Sequence, residues 1–506
     1  MPRTPITNIC VTSILAVGLS GMAWAGAPII ISKGSIFPYS GNYTSTDGTT
    51  PAVTITATSG TVTLQNCTAS NSNTGGTAPT ILIKPATQST AKIYIKNCNI
   101  SNASLAASSS SPAVSITQQA GEVYIQGRAT GFTFTDNANP CVISHANPYA
   151  AAIRIDTPSP VVIQKCTLNA KSDHIASTTY GQAQLVVSDN KASGVNPGVA
   201  SQSQGRFIRL LAPRSLTVTN NRIENTGGIY VNGYGETGHV IGGNIIITNN
   251  DVLNINGRFS DGAQGYQSTR ELVQFVQFDK VLANPNQSIR VSWNQVINQM
   301  GASSVEDVIN IGSSSGSSAY PIIVSNNYLK GAYPTVLTAG FSGCGIVTDT
   351  APGGLMTHHV SIDSNQIIDT VNCGIGIATG HHISATSNRM IGENRSADGT
   401  LIAAANVGLY MMNTQNLPAD LFATNSSTNN LSGWMGWQQS TPPNIIRNDY
   451  YFASGCANPA CDASNASYSP PGGSAYSPIP TGTAAAELQR WQQKLTTNQV
   501  KIGPTW

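Results

Sequence analysis

Short runs of alternating apolar and polar residues recur along almost the whole chain: VTLQNC, IYIKNC, VYIQGR, VVIQKC, LVVSDN, LTVTNN, IIITNN, IRVSWN, IIVSNN, VSIDSN and ISATSN. A period of two places alternate side chains on opposite faces, so each run reads as a strand with one face inward. The runs end at turn positions Asn66, Asn97, Gly127, Lys165, Asn190, Asn221, Asn250, Asn294, Asn327, Asn365 and Asn388, spaced from 23 to 44 residues. The shortest spacing suits one coil of a parallel β-helix, and the longer ones suit coils carrying insertions. Asn and Gly recur there because a corner needs a residue that tolerates left-handed φ. Stacked Asn side chains can also hydrogen-bond from coil to coil. Between the corners lie second strands such as AVTITA, AIRIDT, GIYVNG, VINIG, GIGIAT and GLYMMN. A β-sandwich would favour tight hairpins and lack the recurrent Asn corner. The pattern predicts an all-β, single-domain right-handed parallel β-helix, a solenoid that grows by adding coils.

The alternation decays after Asn430, and the stretch near 468–482 is rich in Pro, Ser and Gly. TAAAELQRWQQKL then predicts a helix with Thr483 as N-cap and Leu488, Trp491 and Leu495 on one face. A solenoid needs its apolar end covered, and this helix is the expected cap. The chain therefore divides into a signal peptide (1–25), the β-helix (26–455) and a C-terminal loop and capping helix (456–506).

Residues 1–25 combine Arg3, the apolar run ICVTSILAVGLSG and the exit Ala23-Trp24-Ala25. That is the layout of a secretory signal, which predicts a secreted or periplasmic protein. No later stretch supplies the roughly 20 apolar residues of a membrane span. Removing Arg3 with the signal takes the net charge from +2 to +1. So neutral a chain carries no footprint for nucleic acid or anionic membranes, and a monomer is expected. Nine cysteines become eight once Cys10 leaves, an even count that suits disulfides. Cys456 and Cys461 are expected to pair, and Cys344 and Cys373, about one coil apart, to stack or bond. Cys67, Cys98 and Cys166 share one repeat position, where a buried ladder of free thiols competes with bridging.

Charged residues are 9% of the chain, so the central stretch LVQFVQFDKV…SIRVSWNQV…SSVEDVINIG…PIIVSNNYLK stands out through Asp279, Lys280, Glu306 and Asp307. This stretch, with SGNYTSTDGTTPAVTI, GCGIVTDT…NCGIGIATGHHISATSNRM…NVGLYMMN and LQRWQ, resembles exported bacterial right-handed parallel β-helix repeat proteins related to carbohydrate-active, polysaccharide lyase-like β-helices. The resemblance implies the fold, export and polysaccharide as partner; fold by itself does not fix chemistry. Polygalacturonase-like signatures are absent except for a faint echo in Gly380-His381-His382, and pectate-lyase-like and pectin-esterase-like motifs are missing.

A polysaccharide lyase needs a base, a neutraliser for the uronate carboxylate and a proton donor. Lys280 with Asp279, and further along His359 and His381, are the candidate catalytic groups. Glu306 and Asp307 are the candidate ligands for calcium, a hard cation that takes oxygen donors. Arg258 and Arg270, in the insertion GRFSDGAQGYQSTRE, are expected to wall a groove. Gln277, Trp293 and Tyr410 complete the substrate-binding set. The expected function is lyase-type cleavage of an acidic polysaccharide. The alternatives are a non-catalytic polysaccharide-binding, envelope or adhesive scaffold, and a glycoside hydrolase using Asp279 with Glu306 or Asp307.

Overall fold

The computed structural model describes residues 26–506 apart from 108–110, 129–140, 180, 182, 234–238, 241, 285, 351–354, 439–443 and 454–463. The predicted signal segment and the Cys456–Cys461 pair lie outside the described residues.

The alternating runs stack as parallel rungs. One sheet of fourteen strands runs in chain order from Ile29–Ile31 to Tyr450–Phe452, and a continuous ladder of twenty-six strands forms the remaining sides. A single coil shows the path. Ile229–Asn232 lies in the first sheet, Ile245–Thr248 and Asp251–Leu253 lie in the second, and Val276–Asp279 begins the next coil. In-register pairing of Ile229 with Val276, Ile245 with Ile289 and Asp251 with Gln295 repeats this from coil to coil. Alternation within each strand thus becomes stacked columns: Ile229, Val276, Ile309, Ile346, Ile375 and Leu409 all point inward and are fully buried. This is the parallel β-helix that the pattern predicts, one core inside one domain.

The corners divide the labour between two residues. In the early coils the predicted Asn66, Asn97 and Lys165 do take positive φ. From Asp189 onward the left-handed residue is the one before the predicted Asn: Asp189, Asn220, Asn249, Trp293, Asn326, Ser364 and Ser387. The Asn that follows turns inward and is buried instead. Asn190, Asn221, Asn250, Asn294, Asn327, Asn365, Asn388, Asn430 and Asn465 form one unbroken ladder, each Nδ2 donating to the next Oδ1 at 2.9–3.0 Å. Each acceptor oxygen also takes a backbone N–H from the rung before it, as Asn294 Oδ1 does from Asn250. The ladder needs the carboxamide at the buried position, whereas the left-handed position accepts Asp, Trp or Ser.

In the first coils cysteine occupies the ladder column, and the thiols are bridged. Cys67 bonds Cys98 and Cys166 bonds Cys141, while Cys344 bonds Cys373. Neighbouring rungs place the Cα atoms 4.5–4.7 Å apart, within reach of a disulfide. The free-thiol ladder is therefore replaced by two bridges.

The predicted helix spans Thr483–Thr497. Trp491 is fully buried, stacks near Trp293 and Tyr328 at 6.1 and 5.9 Å, and donates to Gln295 Oε1. Glu487 receives both arms of Arg389 at 2.6 Å. The helix thus covers the flank of the coils from Gln295 to Arg389. Beyond it, Asn249 Nδ2 donates to Lys501 O, Gly503 N–H to Asn249 O and Thr505 Oγ1 to Asp189 Oδ1, so the tail continues towards earlier coils. Gly482, not Thr483, is the N-cap, and no side chain of its own caps the helix. Glu393 Oε1 instead accepts the Ala484 N–H at 2.7 Å from a neighbouring coil. Glu393→Ala is expected to cost about 1 kcal/mol, the usual worth of an N-terminal cap. A lower denaturant midpoint at unchanged slope checks it.

Candidate functional site

The outer face of the fourteen-stranded sheet carries the chemistry. Its central outward row reads Arg209, Tyr230, Gln277, Asn310, Val347, Gly376 and Tyr410, one residue per coil. A second outward row, two residues along, reads Asn232, Asp279, Gly312 and Asp349. Rungs are about 4.8 Å apart, so Tyr230 and Tyr410 mark a face about 24 Å long, and Asp279 and Asp349 flank Gly312 at about 9.6 Å between Cα atoms. Tyr410 lies flat across Gly376, where a β-carbon would sit 2.6 Å from its hydroxyl oxygen. It packs on the small cluster of Cys344, Val347, Cys373 and Val407, outside the main core.

Glu306 and Asp307 enter this face from the turn before Ile309–Gly312. Asp307 is buried; its Oδ1 accepts the Cys344 N–H at 3.0 Å and its Oδ2 the Asn310 Nδ2 at 2.9 Å. Glu306 Oε2 accepts Gln274 Nε2 at 2.8 Å. Burial, and next the neighbouring Asp307, push the Glu306 carboxyl up to about 7, against the opposing pull of Arg270. Burial raises Asp307 as well, with Asp349 adding to the effect. Tyr410 is held above its ordinary value, first by burial and then by Asp307 and Asp349. Glu306, Asp307, Asp349 and Tyr410 therefore form one electrostatically connected group that runs from the centre of the face towards its Tyr410 end.

The expected constellation is only partly assembled. Lys280 follows Asp279 at a left-handed turn and bonds Gly312 O through its backbone. Glu306 bonds Val273 O, seven positions earlier on the same rung, so Lys280 and Glu306 are roughly 20 Å apart along the strand. Asp279 makes no pair with Lys280; its Oδ2 accepts Tyr230 Oη at 3.1 Å and Asn232 Nδ2 at 3.2 Å. Gln277 and Tyr410 do lie on the face. Arg258 and Arg270 pair across the hairpin of Arg258–Ser260 and Tyr266–Arg270, and both bond carbonyls of the 301–305 loop. Trp293 sits at a corner of the other sheet, stacked under Trp491, away from this face.

The donor set does not suit calcium. N–H groups already point at both oxygens of Asp307 and at Glu306, and among the described residues no group of three His, Cys, Asp or Glu is placed to hold a metal ion. No step below uses one.

No family model matches the chain, and no curated protein matches it in sequence. The solved structure titled "Crystal structure of Dettilon tailspike protein (gp208)" is similar at 17% identity and a TM-score of 0.39, covering 83% of this chain and 70% of that one.

His359 and His381 join His358 and His382 in a two-by-two array on the second sheet, past the corner that follows Asp349. His358 and His381 are in register and stack at 4.9 Å, and His359 stacks on His382 at 4.7 Å. Within each pair the Nδ1 atoms are 2.7 Å apart, a distance that holds one proton between them. Burial and then the three neighbouring imidazoles push His358 down to about 4. The unfolded chain, near 6.5, therefore takes up protons that the folded array refuses, and stability is lost as pH falls from about 6.5 towards 4. The melting temperature is expected to drop between pH 7 and 5, and His358→Asn to flatten that dependence.

Asp349, Gln274, Asn310 and Tyr230 escape a reading organised on Asn corners. A signal for them exists in the other strand set: aligning IYVN, VQFD, INIG and IVTD on their last residue yields the row Asn232, Asp279, Gly312 and Asp349.

Proposed function

We propose that this chain is an exported protein that cleaves a polysaccharide by general acid–base hydrolysis on the outer face of its fourteen-stranded sheet. The observation that carries this reading is the Glu306 carboxyl, raised to about 7 beside Asp307 and Asp349. A carboxylic acid still protonated near neutrality is the group that a departing glycosidic oxygen requires, and a second carboxylate activates water. Glu306 gives its proton to the glycosidic oxygen as the bond to the anomeric carbon breaks. A carboxylate on the other side of the bond takes a proton from water, whose oxygen bonds to that carbon; Asp349, whose charge acts on Glu306 although its strand position is in register with Gly312, is the candidate for this role. One water is consumed and one reducing end appears. Tyr230 and Tyr410 offer ring surfaces at the two ends of the face, and Gln277 and Asn310 line its floor. The three disulfides fit an oxidising compartment, and no helix of the described residues is long and apolar enough to cross a membrane.

β-Elimination is the second reading, favoured by Arg270 and Gln274 beside a protonated Glu306, groups able to neutralise a uronate carboxylate, with the Tyr410 hydroxyl near Asp307 and Asp349 as a further proton-carrying group. Lys280 is too far from them to serve as its base. A panel of neutral and acidic polysaccharides, followed by reducing-end release and by absorbance near 235 nm, separates the two. Reducing ends without absorbance support hydrolysis; absorbance that rises with them supports elimination. Neither signal on any member leaves a binding scaffold.

A further inference from the structure

The face is acidic around Glu306 and cationic further towards the N-terminus. Its outward row continues back from Tyr230 through Arg209 and Ala176 to Arg154. Arg209 and Arg154 each meet one acid, Asp173 at 3.0 Å and Asp156 at 3.2 Å. Arg206, three residues before Arg209, is different. It is only 5% exposed, and its guanidinium lies over the Tyr230 ring at 5.1 Å. Nη2 donates to Leu272 O at 3.2 Å and is 4.0 Å from Glu271 Oε1, which leaves Nε and Nη1 without a hydrogen-bond partner. The other oxygen of Glu271, Oε2, accepts the Ser203 hydroxyl. Three further buried atoms in this stretch, Arg209 Nε, Gln204 Oε1 and Gln274 Oε1, also make no hydrogen bond. Gly227 adjoins the arginine stem; a β-carbon there would sit 3.3 Å from Arg206 Cδ.

A buried charged group with unmade hydrogen bonds forfeits its solvation without compensation, so such a group calls for a partner that completes it. For guanidinium the fitting partner is a carboxylate or sulfate, whose oxygens accept charge-assisted bonds. We propose that Arg206, together with Arg209, forms a subsite for an anionic substituent of the polysaccharide, a uronate carboxylate or a sulfate ester. Arg209 stands three rungs before Asn310, about 14 Å along the row. The anionic group is therefore read a few sugars away from the bond that is cut. This inference rests on the reading of the face as a glycan groove, and it makes the substrate an acidic polysaccharide.

The test measures binding, not turnover. The full-length Glu306→Gln variant is titrated calorimetrically with uronate tetrasaccharides (galacturonate, guluronate and glucuronate-containing), with their carboxyl-reduced counterparts, and with a sulfated neutral tetrasaccharide. At least one anionic probe is expected to bind tenfold or more tightly than its neutral counterpart. Adding Arg206→Gln or Arg209→Gln is expected to erase most of that preference while leaving affinity for the neutral probe unchanged. The uronate and sulfate arms distinguish the two sources of negative charge. Equal binding of charged and neutral probes, no binding by any probe, or a preference that survives the arginine substitutions overturns the proposal. Should Arg206→Gln fail to fold, the half-exposed Arg209 decides. A wild-type chain that binds with this preference but cleaves nothing would sink the role of Glu306 and leave the subsite standing.

Discussion

Glu306→Gln is expected to slow hydrolysis by roughly 10²–10⁴-fold while leaving oligosaccharide affinity nearly unchanged, the usual loss when a positioned general acid is removed. The amide keeps the shape of the side chain and an oxygen for Gln274 Nε2 to bond, so the groove persists. What disappears is the transferable proton. Because the carboxyl is held near 7 by burial first and Asp307 second, wild-type activity should fall above about pH 7 as Glu306 ionises. Its neighbours then shift that limb in opposite directions. Arg270 favours the ionised carboxyl, so Arg270→Gln should move the limb to higher pH. Asp307 disfavours it, so Asp307→Asn should move the limb to lower pH. Activity profiles of the three variants check the assignment, and a limb that ignores both neighbours would remove Glu306 from the mechanism.

The second large effect lies in the Asn ladder. Asn294 Oδ1 accepts both the backbone N–H of Asn250, at 3.1 Å, and its Nδ2, at 2.9 Å. Its own Nδ2 donates to Ile247 O, Ser292 O and Asn327 Oδ1. Asn294 is fully buried, so no water replaces a lost partner. Asn294→Ala strands the Asn250 N–H and takes the side-chain donor away from three acceptors, of which Ser292 O keeps the Asn249 N–H and Asn327 Oδ1 keeps the residue-294 N–H. At about 1–3 kcal/mol for the stranded N–H and about 1 kcal/mol for each further hydrogen bond lost, roughly 3–6 kcal/mol of stability should be lost. Asn294→Asp should be at least as damaging, since it turns a second oxygen, in place of a donor, towards three acceptors. Substitution of the preceding left-handed residue in the next corner, Asn326→Ala, should cost only about 1–2 kcal/mol, the ordinary penalty for that conformation. Denaturant midpoints for the three variants check the order. Equal costs at the two positions would mean that the corner, and not the ladder, carries the stability.

This distinction also marks how far the sequence could be read. The solenoid was legible because period-two alternation recurs from coil to coil and most corners carry Asn. Which Asn of a pair such as Asn249-Asn250 turns left-handed and which is buried was not legible, since both roles admit asparagine; Asp189-Asn190, Trp293-Asn294, Ser364-Asn365 and Ser387-Asn388 separate them chemically. The site was half legible. Acids gathered in a chain with few charges pointed to Asp279, Glu306 and Asp307, and Gln277 and Tyr410 share their face. Lys280 was misleading because proximity in sequence places it at the far end of the strand from Glu306. Asp349 and Arg206 were hidden because they join the site only through rung-to-rung register, which insertions of variable length obscure. The histidine pairs were visible as pairs, but their stacking into one array depends on His358 and His381 falling in register across coils.

The most direct test of the central claim is the pH dependence of kcat/KM on whichever polysaccharide is cleaved. Acid–base hydrolysis through Glu306 predicts a profile that falls tenfold per pH unit above about 7 and loses this limb in Glu306→Gln. A rate that keeps rising through pH 8 and 9, with absorbance near 235 nm accumulating alongside it, would contradict hydrolysis and place proton abstraction at the centre of the chemistry.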